Sequence, residues 1–339
     1  MQPIWSRSLA VTSLVVCLAG GATRPQYGGT LRVEIRESIE TPDPPQDGPG
    51  IGDLNAAFSI TQWEGGHSAG YAADDNAPGG RPFLDGIAIQ MARPLREQAI
   101  DLELGKADLV ELGPNELRRT SAGRRVWRSA AVRLLALEFS AEGADPRIRE
   151  ALALSVDRAA IHSVLLQRQG EIAGGLLPQW ISGYAFLFPT TPDPARARSL
   201  AAPLPAPLRA LTLSFKDPAW RAVAERIAVN ARDAGLMVTV AQANPTADVR
   251  LLEARISSAE PWQALAGLVA SLALPEPPHA ESSEALFAAE RSLLADFRVI
   301  PLLHLPYVYG VGSRVRGGPG ITPLGEWRFE KLWLEGTRP

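Results

Sequence analysis

The segment from Leu211 to Val240 constrains this chain most. Leu211 to Phe215 is a short apolar run, and Asp217-Pro218 follows it. An Asp there can accept from the free amides of a helix start, and a Pro suits the first helical position. Trp220, Val223, Ile227 and Ala231 then share one helical face, Gly235 offers a helix stop, and Leu236 to Val240 is apolar again. Strand, helix and strand in this order form a crossover, which sets the two strands parallel in a covered sheet. The expected fold class is therefore α/β.

The flanking sequence extends that expectation. Alternation predicts strands over Thr30–Ile35, Phe58–Trp63 and Ile87–Met91, with a Pro- and Gly-rich loop from Thr41 to Asp53. Leu95 to Leu104 has helical spacing and stops at Gly105, and Leu109 to Leu112 reads as strand. Val132 to Phe139 is another strand. After it, Asp145-Pro146 starts a helix whose apolar face runs Ile148, Leu152, Val156, Ala160 and Val164. Asp157-Arg158 reads as an exposed pair on that helix. Residues 189–207 read as a proline-rich linker. Helices over 261–274 and 283–297 precede an apolar strand, Val299 to Leu305.

Composition narrows the function. At 339 residues and 46% hydrophobic, the chain is long enough for two lobes with separate cores. Its net charge of −3, with only Arg118-Arg119 and Arg124-Arg125 as tight basic pairs, argues against a nucleic-acid partner. Four scattered histidines and one cysteine give no metal-ligand spacing, so no metal or cofactor is expected. Gly48, Gly50 and Gly52 suggest a phosphate loop, but Asp47 and Asp53 would repel phosphate and no helix is expected after them.

Residues 1–22 read as a secretory signal peptide: Arg7, an apolar run from Leu9 to Ala19, then Gly20-Gly21-Ala22. The run is too short for a stable membrane anchor. An extracytoplasmic or periplasmic location follows, with the body starting near Thr23. Cys17 is an alternative lipidation site, although Val16 before it is larger than lipoprotein processing favours.

One motif points elsewhere. Gly66-His67-Ser68-Ala69-Gly70 fits G-x-S-x-G, the nucleophile elbow of α/β-hydrolases. An elbow needs a helix directly after the serine, and "YAADDNAPGGRP" carries turn signals instead. A turn is the better reading, and no catalytic residue is assigned.

Several segments, in order, resemble the family 5 extracellular solute-binding proteins, the peptide- and nickel-binding receptors of ABC importers. They are "YGGTLRVEI" after the leader, "GGRPFLDGIAIQM" at 79–91, "IDLELGKADLVEL" at 100–112, "DPRIREALALSVDRAAIHSVLL" at 145–166, "IPLLHLPYVYGV" at 300–311 and "WRFEKLWLEG" at 327–336. The resemblance implies a two-lobed, class II-like periplasmic binding fold. Residues 23–112 and 299–339 would form the first lobe and 113–298 the second. It also implies a non-enzymatic, monomeric receptor for a peptide or similar small solute, partnered by an ABC importer permease. Only residues 38–57 stand where family members carry a long stretch, so the first lobe is expected to be abbreviated. The family's acidic anchor for a peptide amino terminus has no counterpart here. A degenerate scaffold that binds nothing, and a secreted esterase using Ser68, are the rival readings.

For the ligand wall, "LLPQWISGYAFLF" at 176–188 gathers Trp180, Tyr184, Phe186 and Phe188 in a Gly- and Pro-containing stretch. Aromatic rings commonly wall binding pockets, and Trp and Tyr add a polar edge. These four are the expected binding residues. The plainer alternative is a loop packed on the lobe core.

Overall fold

The computed structural model describes residues 24–42, 50–120, 125–140 and 144–336. Residues 1–22, expected to be a leader and containing Cys17, lie outside these residues, as does Gly48. Eleven strands form one mixed sheet. They are β1 (Thr30–Glu34), β2 (Phe58–Glu64), β3 (Ser68–Ala73), β4 (Gly86–Gln90), β5 (Leu109–Glu111), β6 (Arg125–Phe139), β7 (Glu171–Ile172), β8 (Ala210–Phe215), β9 (Met237–Gln242), β10 (Val249–Arg255) and β11 (Val299–Val311). Their order across the sheet is β2-β3-β4-β1-β5-β11-β6-β10-β8-β9, with β7 paired to β11.

The crossover expected between Leu211 and Val240 is present. β8 and β9 pair in parallel from Ala210↔Met237 to Phe215↔Gln242, and the helix Arg221–Asp233 lies between them in sequence. Trp220, Val223, Ile227 and Ala231 are all buried, as one apolar face requires. Gly235 takes φ +80°, the left-handed conformation that ends the helix.

Two long strands carry the architecture. β6 and β11 pair antiparallel from Val299↔Glu138 to Val311↔Arg125, with irregularities around Pro301, Pro306 and Val308. β5 joins the ribbon at Tyr309–Val311, bringing β1, β4, β3 and β2 with it. β10 joins at the opposite end, Arg133–Phe139, bringing β8 and β9. The two half-sheets therefore hang from opposite ends of one ribbon. Registers show that β5 and β10 both run toward its middle, from opposite sides.

Several local expectations need correction. The helix from Asp145 stops at Ser155, where Val156 turns extended, because Asp157 caps a new start through the Ala160 amide at 2.9 Å. The turn Ile161–Leu165 is then π-helical, and Val164 is exposed instead of continuing the apolar face. Arg158 is fully buried, not surface-exposed. Its guanidinium donates to the carbonyls of Pro301 (2.9 Å) and Ala153 (3.2 Å) and lies 5.5 Å from the Phe188 ring centre. The 189–207 segment contains the helix Pro194–Ala201, capped by Asp193. A 3-10 turn, Gly50–Ala56, buries Ile51 and Leu54 where loop was expected, and Asp53 accepts the Trp327 amide at 3.0 Å.

The serine motif folds as a hairpin. Residues 65–67 form its turn, and Ser68 opens β3, pairing with Glu64 across to β2 and with Gln90 of β4. Ser68 Oγ donates to Glu64 Oε2 at 3.1 Å. A serine inside a strand lacks the strand-to-helix corner of an elbow.

Candidate functional site

Because the parallel strands β1, β4 and β5 of one half and β8, β9 and β10 of the other aim their carboxyl ends at the ribbon's middle, the loops leaving those ends face one another there. Open α/β sheets bind ligands at such strand ends. A cavity of about 330 Å³ lies in this place. Arg36 and Glu111 line it from the ends of β1 and β5. Trp220 and Val223 line it from the helix after β8, and Arg133 and Tyr307 form its floor on the ribbon. Leu165, Leu166 and Gln169 close one side.

Each polar group in it is held from behind. The buried Gln98 side chain accepts the Glu111 amide and donates to the Arg93 carbonyl, both at 2.8 Å. This fixes the end of β5. Glu111 Oε2 in turn accepts the Arg36 amide at 2.6 Å. The Arg36 guanidinium reaches Asp217 at 2.9 Å and Glu253 at 3.5 Å. Glu253 also takes Arg133 at 3.1 Å, while the other Arg133 nitrogen donates to the Pro306 carbonyl at 2.8 Å. Burial lowers the Arg36 pKa, but the carboxylates of Glu253, Glu111 and Asp217 outweigh it and raise the value overall. The Arg133 guanidinium carbon sits 4.6 Å from the Tyr307 ring centre, a cation–π contact on the floor. Burial pushes the Tyr307 phenol up to about 12, so the hydroxyl stays protonated at neutral pH.

The side made by Leu165 to Gln169 is conformationally unusual. The π turn is closed by the Leu166 amide on the Ile161 carbonyl at 3.0 Å. Gln167 and Arg168 follow at φ 52° and 61°, a left-handed pair without glycine. Gly170, at φ +76°, packs so closely that a Cβ there would lie 2.1 Å from the His304 carbonyl oxygen.

The four aromatic residues expected at the ligand wall lie in the second half, apart from this cleft. Tyr184 and Phe186 line a separate hollow of about 230 Å³, together with Ile172 and Leu187. The Tyr184 hydroxyl donates to the buried Glu290 at 2.7 Å, and its ring meets Phe287 edge-on. Phe186 is 82% exposed at φ 67°. Phe188 is buried edge-on against Phe297, and Trp180 is half-exposed. None of the four is among the lining residues of the cleft at the strand ends. Trp220, already placed on the buried face of its helix, supplies that cleft's aromatic wall. The charged residues at the strand ends carry no sequence signature, because sheet topology alone brings them together.

Among the described residues, no group of three or more His, Cys, Asp or Glu is placed to hold a metal ion. Nor is any helix there long and apolar enough to cross a membrane.

The profile of the bacterial extracellular solute-binding proteins, family 5, middle region, matches residues 35–272. The chain belongs to this family. Among solved structures, similarity extends to a Helicobacter pylori protein described as the ABC transporter-associated periplasmic binding protein DppA in complex with a peptide. Identity is 15% and the TM-score 0.72, over 83% of this chain and 63% of that one. The oligopeptide-binding protein AppA of Bacillus subtilis, in complex with a nonapeptide, is 16% identical with a TM-score of 0.66, over 83% and 66% of the two chains. NikA of Staphylococcus aureus, in complex with Ni(L-His)2, is 15% identical with a TM-score of 0.70, over 82% and 68%. No curated protein matches the chain. These likenesses show the fold, the two-lobed architecture of those proteins, and the family 5 chain spans about two thirds of the length of the structures it resembles.

Proposed function

We propose that this family 5 chain is an extracytoplasmic solute receptor of an ABC importer, taking a short peptide or similar small solute in the cleft at the convergent strand ends. The cleft itself carries the reading. It joins an apolar wall at Trp220, Leu165 and Val223 to a charged floor at Arg36, Glu111 and Arg133, and pockets that orient small ligands combine these two surfaces. Its volume of about 330 Å³ is at the small end for ligand sites, so the solute is small. The lobe division adopted is 23–112 with 299–339 for the first and 113–298 for the second, with residues 1–22 as leader. The receptor works as a monomer and performs no chemistry on its solute.

The hollow at Tyr184 and Phe186 is a second reading, favoured by the exposed, left-handed Phe186 beside it. A thermal-shift and calorimetry screen of free amino acids and di- to tetrapeptides separates the two. The expected result is a ligand with Kd on the order of micromolar or weaker. Trp220→Ala should weaken its binding at least about tenfold, while Phe186→Ala and Trp180→Ala leave it unchanged. The reverse pattern moves the site to the hollow, and a silent panel favours a scaffold that binds nothing.

A further inference from the structure

Arg36 belongs to the first half-sheet, and both carboxylates that hold its guanidinium belong to the second. Asp217 stands two residues after the end of β8, and Glu253 lies in β10. Among the described residues, the halves are joined through the strands β6 and β11, whose pairing is irregular beside the cleft, between Leu305 and Val308. At such a bulged, Pro-containing stretch the ladder is locally weakened and bends more easily. The halves are thus joined by a bendable ribbon on one side and by Arg36 on the other.

The ion pairs are built into the framework at each end. Asp217 divides its carboxylate, with Oδ1 capping the next helix through the Ala219 amide at 2.9 Å and Oδ2 facing Arg36 at 2.9 Å. Glu253 divides its own between Arg36 and Arg133. Arg36 is anchored by its amide on Glu111, so its reach starts from a fixed point. The three side chains are only about one-quarter exposed or less, so water and salt screen them less than a surface pair.

We propose that Arg36 is a latch across the cleft: through Asp217 and Glu253 it draws the second half onto the first without help from a solute. Closure in this chain is then set partly by its own charges, and removing the latch shifts the balance toward an open form. The proposal concerns the same cleft as the receptor reading, but its test contains no solute, so either can fail alone.

The experiment measures distances between spin labels on Ile60→Cys and Val229→Cys, two exposed positions on opposite halves, in a Cys17→Ser background. The unaltered latch should give one narrow, short distance. Arg36→Gln should raise the open-to-closed ratio about tenfold, the size expected for losing a charged hydrogen bond. Asp217→Asn keeps an oxygen for the Ala219 amide but removes the charge, and should raise the ratio by less, since Glu253 remains. The double variant should open no further than Arg36→Gln alone, because both changes remove one shared interaction. Arg36→Lys should restore part of the closure. A distribution unchanged in both single variants, or additive effects in the double variant, overturns the latch. Should Arg36→Gln fail to fold, Asp217→Asn decides alone.

Discussion

The Tyr184 hydroxyl donates to Glu290 Oε2 at 2.7 Å, while the other oxygen of that carboxylate accepts the amides of Leu176 and Leu177. Glu290 is fully buried, and desolvation pushes its pKa up against these donors. The phenol is therefore committed to the interior of the second half. Tyr184→Phe should cost about 1.5–3 kcal/mol, the range for a hydrogen bond to a charged group. Urea unfolding of the two proteins checks this. A loss below about 0.5 kcal/mol would leave the hydroxyl free for other duties.

His304 gives the fold a pH dependence. Its Nε2 lies 2.9 Å from the Leu176 carbonyl oxygen, and burial pushes the ring down to about 4. In the unfolded chain it would titrate near 6.5. The folded state therefore binds fewer protons between those values. Stability is complete above about pH 6.5 and declines as the pH falls toward 4, by about 3 kcal/mol in all. Half-exposed Glu171, 3.8 Å from Nδ1, recovers a little of this when the ring is charged. Denaturant midpoints at pH 7.5 and 4.5 should differ accordingly, and His304→Gln should shrink the gap.

The helix after β8 tests how well its phase is understood. Ile227 is fully buried and its neighbour Arg226 is exposed. Ile227→Ala should cost about 2–5 kcal/mol, and Arg226→Ala no more than about 0.5 kcal/mol. Comparable losses in thermal melts would contradict the packing.

Phe186 offers the opposite sign. It holds a left-handed φ of 67° with its ring 82% exposed, so it carries backbone strain with little burial in return. Relief of strain worth about 1–2 kcal/mol should match or exceed the entropy cost of glycine, about 0.5–1 kcal/mol. Phe186→Gly should melt at the same temperature or slightly higher. A clear drop would show that the ring is gripped by something.

How legible all this was depended on distance along the chain. The crossover at 211–240 could be read because its caps, its apolar face and its stop lie within one short segment. That the serine motif lies at a turn and not at an elbow could be recognised for the same reason, although only residues 65–67 turn and Ser68 to Gly70 already belong to β3. The extent of β6 could not be read, since Arg125, Arg128 and Arg133 break its alternation and make sense only beside β11 and the cleft. Arg158 misled for a related reason: a guanidinium looks solvated until the Pro301 carbonyl, far along the chain, is brought to it. The four aromatics at 176–188 could be grouped because they are close in sequence. The cleft at the strand ends could not, since it collects Arg36, Glu111, Arg133, Trp220 and Tyr307 from five separate segments, which only strand order can assemble.

The β6–β11 ribbon also decides how the molecule bears a mechanical load. Residues 24–42 and 312–336 both belong to the first half, so the chain enters and leaves the second half through two adjacent, hydrogen-bonded strands. Tension on the two ends of the described chain never reaches the second half while that ladder holds. Once the first half has given way, it acts at the Val311↔Arg125 end and peels the strands apart pair by pair, like a zip fastener opened from one side. Everything from β10 to β9 is slack until the last pair parts.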